Sequence, residues 1–504
     1  MVALLTLVGA LIRIKTAGSS LVGDELSTLW IVDGRSLEQV IEIVNSDAEI
    51  TPPFYFVLAW LASKLGSDPE LIRLPALIAG ISAIPLTYAI GTRMIGRFGA
   101  LVATAVMTLS PFMVFYSANA RAYPVAIVMV MVSTLGLLLA TETGRKRWWV
   151  LYGAGSCLAL YSHYTMAFVL VGQLLWLLWA FPAARKAAIV TNLAAAVFYL
   201  PWVGGFLADN NSFTVPILEG LQGTGFGAKR DALEQIIFFR FDLSGSELAG
   251  RLDVALIGIG LVTLTGLALA GYLIRRLRPQ LPANFDRGLV LALVLTLSTA
   301  IGEGLLLLVG TDIFGARNLA AMWVGLPFLI GALAAMSGTA WALASVAVLL
   351  VGLGIGATRA SDSTRASIPY KEVTRYLEET GGPRVTVVDV AHLTPSPLGD
   401  IEAYLPSTAK VFTPGLPEDR IDFIKTIFNV PDAQTELDRA FEGPGQVQVA
   451  TFVDPELDLE ENQVRARNGD LLDVPDGWSA TSEKTFSGIV DVTVTTYERN
   501  EGKR

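Results

Sequence analysis

Gly23-Asp24-Glu25-Leu26-Ser27 places two adjacent carboxylates directly after the first long apolar run. Such a pair is ordinarily a solvated loop, although a carboxylate within reach of a hydroxyl can also take its proton. Three arginines stand at the ends of other apolar runs: Arg73 in Glu70-Leu71-Ile72-Arg73-Leu74-Pro75, Arg121 in Ala118-Asn119-Ala120-Arg121-Ala122-Tyr123, and Arg317 in Ala316-Arg317-Asn318-Leu319. An arginine in that position either snorkels to lipid headgroups or offers its planar fork of donors to phosphate oxygens. Tyr116, Tyr123 and Tyr164 suit an aromatic belt as well as a ligand wall, and His163 lies in a short turn beside Tyr164. Glu303 is different, because it sits inside an apolar run, where an ionisable group is costly unless it faces a cavity or a partner. Asn192 and Gln173 read as hydrogen-bonding links between helices.

The elements that must carry these groups are membrane helices. Of the 504 residues 52% are hydrophobic and only 16% charged, with a mean hydropathy of +0.53. A soluble domain carries about 25% charged residues, so an ordinary soluble enzyme is excluded, and no basic face suggests nucleic acid. One cysteine, Cys157, excludes an intramolecular disulfide, and two histidines leave little for a His-rich metal site. Runs near 2–17, 74–92, 98–117, 124–141, 148–162, 165–181, 187–204, 252–274, 288–310, 318–336 and 340–358 are close to the roughly 20 residues that a crossing needs, and predict about eleven transmembrane helices. The first run is short, and its true start is expected either here, with little tilt, or upstream of Met1. Residues 54–65 are apolar but too short to cross, which suits an interfacial helix.

Orientation follows from the basic residues. Arg93, Arg97, Arg145, Lys146, Arg147, Arg185, Lys186, Arg275, Arg276, Arg278 and Arg287 fall on alternate turns, predicting that this side is cytoplasmic. The N-terminus is then inside, while the loops 18–73 and 205–251 and everything after residue 358 face outward. Residues 360–504 hold 26 Asp and Glu against 14 Lys and Arg, a net of −12, which leaves +3 on residues 1–359 out of the chain total of −9. The tail reads as a small α/β domain, with a helix at Tyr370–Thr380 and strands at Arg384–Val390, Val447–Phe452 and Ile489–Tyr497. It contains no Gly-rich phosphate loop or triad spacing, and His392 reads as incidental.

Taken in order, Asp24-Glu25, Pro52-Pro53-Phe54-Tyr55, Arg73-Leu74-Pro75 and Ser110-Pro111-Phe112 through Arg121-Ala122-Tyr123 resemble the motifs of polyprenyl-phosphate-sugar-dependent glycosyltransferases of the GT-C class. The likeness is to the family 39-like, mannosyltransferase-related membrane proteins. It continues in Leu160-Tyr161-Ser162-His163-Tyr164 and Ala316-Arg317-Asn318-Leu319, and so covers most of residues 1–340. The resemblance implies a GT-C fold with a transmembrane domain over 1–359 and a soluble extracytoplasmic domain over 360–504, in the cytoplasmic (plasma) membrane.

The implied reaction is inverting transfer from a sugar on a lipid phosphate to a hydroxyl of a glycan, lipid or protein. Asp24 is then the general base, and Arg73, Arg121 and Arg317 hold the phosphate. Glu25, Tyr116, Tyr123, His163 and Glu303 are the further donor- or acceptor-binding candidates. Two positions depart from the pattern. The acid often found two residues before the third-helix Arg is Asn119 here, and the His sometimes preceding the Pro-Pro pair is Thr51. The second departure argues against a bound metal, and no cofactor is required, although a divalent ion is not excluded. A transporter or flippase is expected to show inverted repeats or broken midplane helices, and neither is evident in the sequence. A non-catalytic subunit of the same fold is the third alternative, to which Asn119 lends weight.

Overall fold

A computed structural model of the chain describes residues 1–21, 24–46, 49–209, 225–239, 251–273, 281, 284–338, 340–362, 368–380, 384–389, 441–442, 445–453, 475–488 and 491–500. The chain divides into two compact units. The first comprises Met1–Ala17, Thr28–Phe241 and Glu247–Ser361; the second comprises Gly18–Ser27, Asp242–Ser246 and Asp362–Arg504.

The first unit is helical. Its elements are α1 (Val2–Ala17), α2 (Asp24–Val32, which begins in the second unit), α3 (Leu37–Val44), α4 (Phe54–Ser63), α5 (Leu74–Met94), α6 (Gly96–Leu109), α7 (Pro111–Ser117) and α8 (Tyr123–Thr143). They are followed by α9 (Lys146–Leu160), α10 (Met166–Ala180), α11 (Arg185–Tyr199), α12 (Val203–Asp209) and α13 (Phe226–Phe238). The series closes with α14 (Leu252–Leu273), α15 (Phe285–Leu308), α16 (Leu326–Ser337) and α17 (Ala340–Ala360). Each of the eleven expected runs coincides with a helix or a consecutive helix pair. Among the described residues six stretches are long and apolar enough to cross a membrane, and up to eight if each bent pair counts as one span. The full count of eleven is not shown, since the other three expected runs, α1, α9 and α10, have only 16, 15 and 15 residues. At 1.5 Å per residue such a helix covers about 22–24 Å, short of a full hydrocarbon core of about 30 Å.

Both bent pairs have a proline at the second segment's start. Ser110-Pro111 separates α6 from α7 with a 54° change of direction, and Gly325-Leu326-Pro327 separates Asn318–Val324 from α16 with one of 40°. Proline lacks the N–H that would carry the helix through, which makes these the places where it turns. Elsewhere small residues let helices approach to backbone contact, as membrane packing favours. A methyl group built on Gly155 of α9 would lie 2.7 Å from Ser133 N of α8. Around that crossing Ser133 donates to Gln173 Oε1 (3.0 Å), and Gln173 Nε2 donates to Thr134 Oγ1 (2.9 Å). Asn192 donates to Tyr152 Oη (2.8 Å), so both expected polar links join helices.

In the second unit α18 (Tyr370–Glu379) accompanies a four-stranded sheet of β1 (Arg384–Asp389), β2 (Gln446–Val453), β3 (Trp478–Phe486) and β4 (Asp491–Arg499), in the order β1-β2-β4-β3. β1 and β2 are parallel; β4 pairs antiparallel with β2 and with β3. The helix and three of the strands lie where the sequence pattern puts them, and β3 is an addition. On β4, Val492 and Val494 are fully buried, the alternation expected of a strand with one face in a core. Gly18–Ser27 belongs to this unit: Ser20 Oγ accepts from Lys371 N (3.1 Å), and Lys371 Nζ donates to Gly18 O (3.2 Å). His392 lies outside the described residues.

Candidate functional site

The third-span motif builds the centre of the site. Ser110 caps α7 by accepting from Met113 N (3.1 Å), and Pro111 opens that helix with its φ already helical. α7 then delivers Tyr116, and α8 begins at Tyr123, with Arg121 in the short segment between. Tyr116 and Tyr123 stack edge to face at 4.7 Å, and Tyr123 meets the ring of His163 at 5.2 Å. The segment 118–122 is held by its own backbone, with Arg121 N donating to Asn119 O (2.8 Å), and by Thr28 Oγ1 of α2 donating to Ala120 O (3.0 Å).

Arg121 reaches Glu49 through Nη1···Oε2 at 3.5 Å, and both side chains are largely buried. The other oxygen of Glu49 accepts from the amides of Ile50 and Thr51, each at 3.0 Å. A carboxylate held by two amides just before Pro52-Pro53 is fixed in place, and it fixes the guanidinium opposite. The Pro-Pro-Phe-Tyr element is itself pinned: Phe54 N donates to Tyr161 O (2.9 Å), beside His163 in sequence, and Tyr55 Oη donates to Ile72 O (2.9 Å), beside Arg73.

His163 Nδ1 accepts from Thr165 N (3.4 Å) and lies 2.9 Å from Thr165 Oγ1. With Nδ1 as acceptor, the imidazole proton sits on Nε2. Burial, aided by the charge of Arg121, pushes the His163 pKa down to about 4, so the ring is neutral at pH 7. Tyr164, next in the chain, donates to Asp209 Oδ2 and accepts from Trp202 Nε1 (3.0 Å). Burial, and after it the bond to Asp209, raises the Tyr164 pKa and keeps it a proton donor. Asp209 and Glu49 also interact electrostatically.

The remaining candidates sit elsewhere. Arg73 is buried and donates from Nη1 to Ala17 O (2.8 Å), at the last carbonyls of α1, where a cation also suits the helix dipole. Glu303 is fully buried on α15, and neither of its oxygens makes a hydrogen bond of normal geometry among the described residues. Lys229, Asp312 and the backbone amide of Gly315 act on it electrostatically. Lys229 and Asp312 form a tight pair at 2.6 Å, and Lys229 Nζ also donates to Phe314 O (3.2 Å). Arg317 is exposed farther along that loop, just before Asn318–Val324. The two clusters are linked by an aromatic core: Trp323 stacks on Phe112 at 5.9 Å and Phe112 meets Tyr116 at 4.5 Å. Asp24 and Glu25 form the first turn of α2, with Glu25 fully buried, and both belong to the second unit.

Four groups were missed by sequence reasoning. Glu49, Asp209 and Lys229 look like ordinary charged loop residues, and nothing in their spacing marks them. Arg13 did carry a signal, the one that marked Glu303: a charge inside an apolar run. Among the described residues no three His, Cys, Asp or Glu side chains gather as a metal site.

Residues 51–204 match the family model described as dolichyl-phosphate-mannose-protein mannosyltransferase, the class that the motifs from Pro52 to Tyr164 resemble. No protein of curated function matches in sequence. Among solved structures the chain is similar to ArnT from Cupriavidus metallidurans in the apo state, at 16% identity over 98% of this chain and 97% of that one, with a TM-score of 0.42. It is similar also to the same protein bound to undecaprenyl phosphate, at 16% identity over 100% and 98% (TM-score 0.40). A third likeness is to the Archaeoglobus fulgidus oligosaccharyltransferase in complex with zinc and sulfate, at 15% identity over 93% of this chain and 70% of that one (TM-score 0.49).

Proposed function

We propose that the protein is an inverting glycosyltransferase of the plasma membrane that moves a sugar from a polyprenyl phosphate to a hydroxyl of a glycan, lipid or protein. The reaction takes place at the outer face, the N-terminus being inside. The acceptor oxygen bonds to the anomeric carbon as the bond from that carbon to the phosphate oxygen breaks. Asp24 takes the hydroxyl proton, and Glu25 binds the donor or the acceptor. General-base help of this kind contributes about 10²–10⁴-fold. The leaving group departs as a phosphate, whose charge needs cations rather than a general acid.

In this reading Arg121 supplies the fork, with Glu49 as the counterion that the phosphate displaces. Arg317 adds a second donor from the loop after α15. Arg73 contributes charge, since its Nη1 is committed to Ala17. Tyr116, Tyr123 and the neutral His163 wall the sugar, His163 offering its Nε2 proton to a hydroxyl. Glu303 lines the cavity that the lipid enters. The observation that carries the proposal is the gathering of Arg121, Glu49, Tyr123 and His163 within or beside the segment that matches the mannosyltransferase model.

The test is release of polyprenyl phosphate by protein in lipid, given a panel of polyprenyl-phosphate sugars and crude envelope acceptors. Wild type should consume one donor, and Asp24→Asn should lose at least about 10²-fold. Equal consumption by the two proteins would remove Asp24 from the role of base. No consumption of any donor by wild type would remove the reaction.

A further inference from the structure

The break between α6 and α7 leaves a particular vacancy in the backbone bonding. In a continuous helix Met107 O would accept from the amide of residue 111, but that residue is Pro111, which has none. Thr108 O ends at the same break. In hydrocarbon there is no water to satisfy a free carbonyl, so a break there requires a donor from elsewhere. Arg13 of α1 supplies it: Nη2 donates to Met107 O (3.0 Å), Nη1 to Thr108 O (3.1 Å) and to Gly9 O (3.1 Å), and Nε to Ser117 Oγ (3.2 Å). One planar group thus spans the end of α6 and the end of α7.

The surroundings are shaped for it. Arg13 is fully buried, and all of its partners are neutral. Its charge is met by the carbonyl end of the α6 dipole rather than by a carboxylate. A methyl on Gly80 of α5 would lie 1.8 Å from Ser117 Oγ, and one on Gly9 would lie 3.0 Å from Arg13 Nη1. Glycines on two helices, Gly9 of α1 and Gly80 of α5, therefore keep this space clear, and α7 carries Tyr116 from it directly toward Tyr123.

We infer that Arg13 is a positioning residue: by bridging the carbonyls of Met107 and Thr108 to Ser117 it holds the α6–α7 bend and so aims Tyr116, while Arg121 keeps its own hold on Glu49. The effect on turnover rests on the glycosyl-transfer reading above; the effect on the bend does not. Lysine cannot replace it, because a single ammonium cannot reach both ends of the bend in one plane.

The experiment uses the full chain in lipid, as Arg13→Met, Arg13→Lys and Arg13→Met/Pro111→Ala, with structure, Tm, polyprenyl phosphate binding and donor turnover measured. Both single variants should keep binding within about threefold yet lose about 10²-fold in turnover, the scale expected when reacting groups are misplaced by about 1 Å. In the double variant the alanine that replaces Pro111 returns an amide to Met107 O. Tm should recover while turnover stays low, because the helix now runs straighter. Recovery of both together would overturn the positioning role, leaving Arg13 a stabilising group only. An unchanged 54° bend in the structure of Arg13→Met would overturn it whatever the reaction. A changed bend in a protein whose wild type consumes no donor would support the positioning and sink the glycosyl-transfer reading alone.

Discussion

Arg13 Nε lies 3.2 Å from Ser117 Oγ, joining the first helix to one that ends 104 residues later, and Gly80 is what lets them meet. Substituting Gly80→Ala places a methyl 2.4 Å from Ser117 Cβ and 1.8 Å from its Oγ. Those atoms sit next to the backbone, so α7 itself must move. Overpacking of this kind costs about 1–3 kcal/mol, and Tm should fall accordingly. Gly354→Ala on α17 is the control, since nothing lies within 4 Å of its built methyl. It should hold or raise Tm, alanine being the better helix former by about 0.5–1 kcal/mol.

Removing the charge at Glu49 separates two roles for Arg121. If Arg121 receives the lipid phosphate, Glu49 competes for the same fork and repels the incoming anion. Glu49→Gln should then bind polyprenyl phosphate several-fold more tightly, and Arg121→Gln should bind it more weakly by about 10-fold or more. Equilibrium binding of polyprenyl phosphate to both variants decides it. Weaker binding by Glu49→Gln would mean that the pair is needed intact and that Arg121 is structural.

His163 gives the pH dependence. Its folded pKa of about 4 lies below the ordinary 6.5, so between those values the unfolded chain binds the proton and the folded one does not. Stability therefore falls as pH drops from 6.5 toward 4 and is unaffected by this group above 6.5. Titration of the His163 C2 proton should show a midpoint near 4. His163→Gln should flatten the fall of Tm over that window.

How far these groups could be read beforehand depended on whether the membrane or a partner selects them. Long apolar runs are imposed by the bilayer, so every expected run is helical; two of them bend by 54° and 40° where an unbroken span is expected, although Pro111 and Pro327 stand beside the bends. Val492, Val494 and the other sheet-core residues alternate, and three strands followed from them. β3 did not, because Ser479 through Thr485 are all exposed and its polar side chains carry no alternation; its place at the sheet edge comes from backbone pairing with β4. Tyr116, Arg121, Tyr123 and His163 were legible as motif residues. Glu49 and Asp209 were not, since what selects them is a contact with residues about 70 and 45 positions away.

The Lys229–Asp312 pair and Glu303 make opposite predictions from the same cluster. Lys229 ties α13 to the loop after α15, and that loop closes on Asp312, whose Oδ1 also accepts from Phe314 N (3.1 Å). Lys229→Met leaves a mostly buried carboxylate without its cation. The loss should be about 2 kcal/mol, below the full value for a buried pair because Asp312 keeps about a quarter of its exposure. Lys229→Met/Asp312→Asn removes the stranded charge and should recover part of that loss. Glu303 sits beside them fully buried, without a hydrogen bond of normal geometry, and the nearby Gly315 amide can face an amide oxygen as well as a carboxyl oxygen. Glu303→Gln should therefore leave Tm unchanged or raise it, since an amide enters an apolar site more cheaply than a carboxylate does. A Tm ranking with Lys229→Met lowest, the double variant between, and Glu303→Gln at or above wild type is the expected result. A fall in Tm for Glu303→Gln as large as that for Lys229→Met would mean that Glu303 is a working member of the ion cluster, and its assignment as a cavity-lining group would have to be given up.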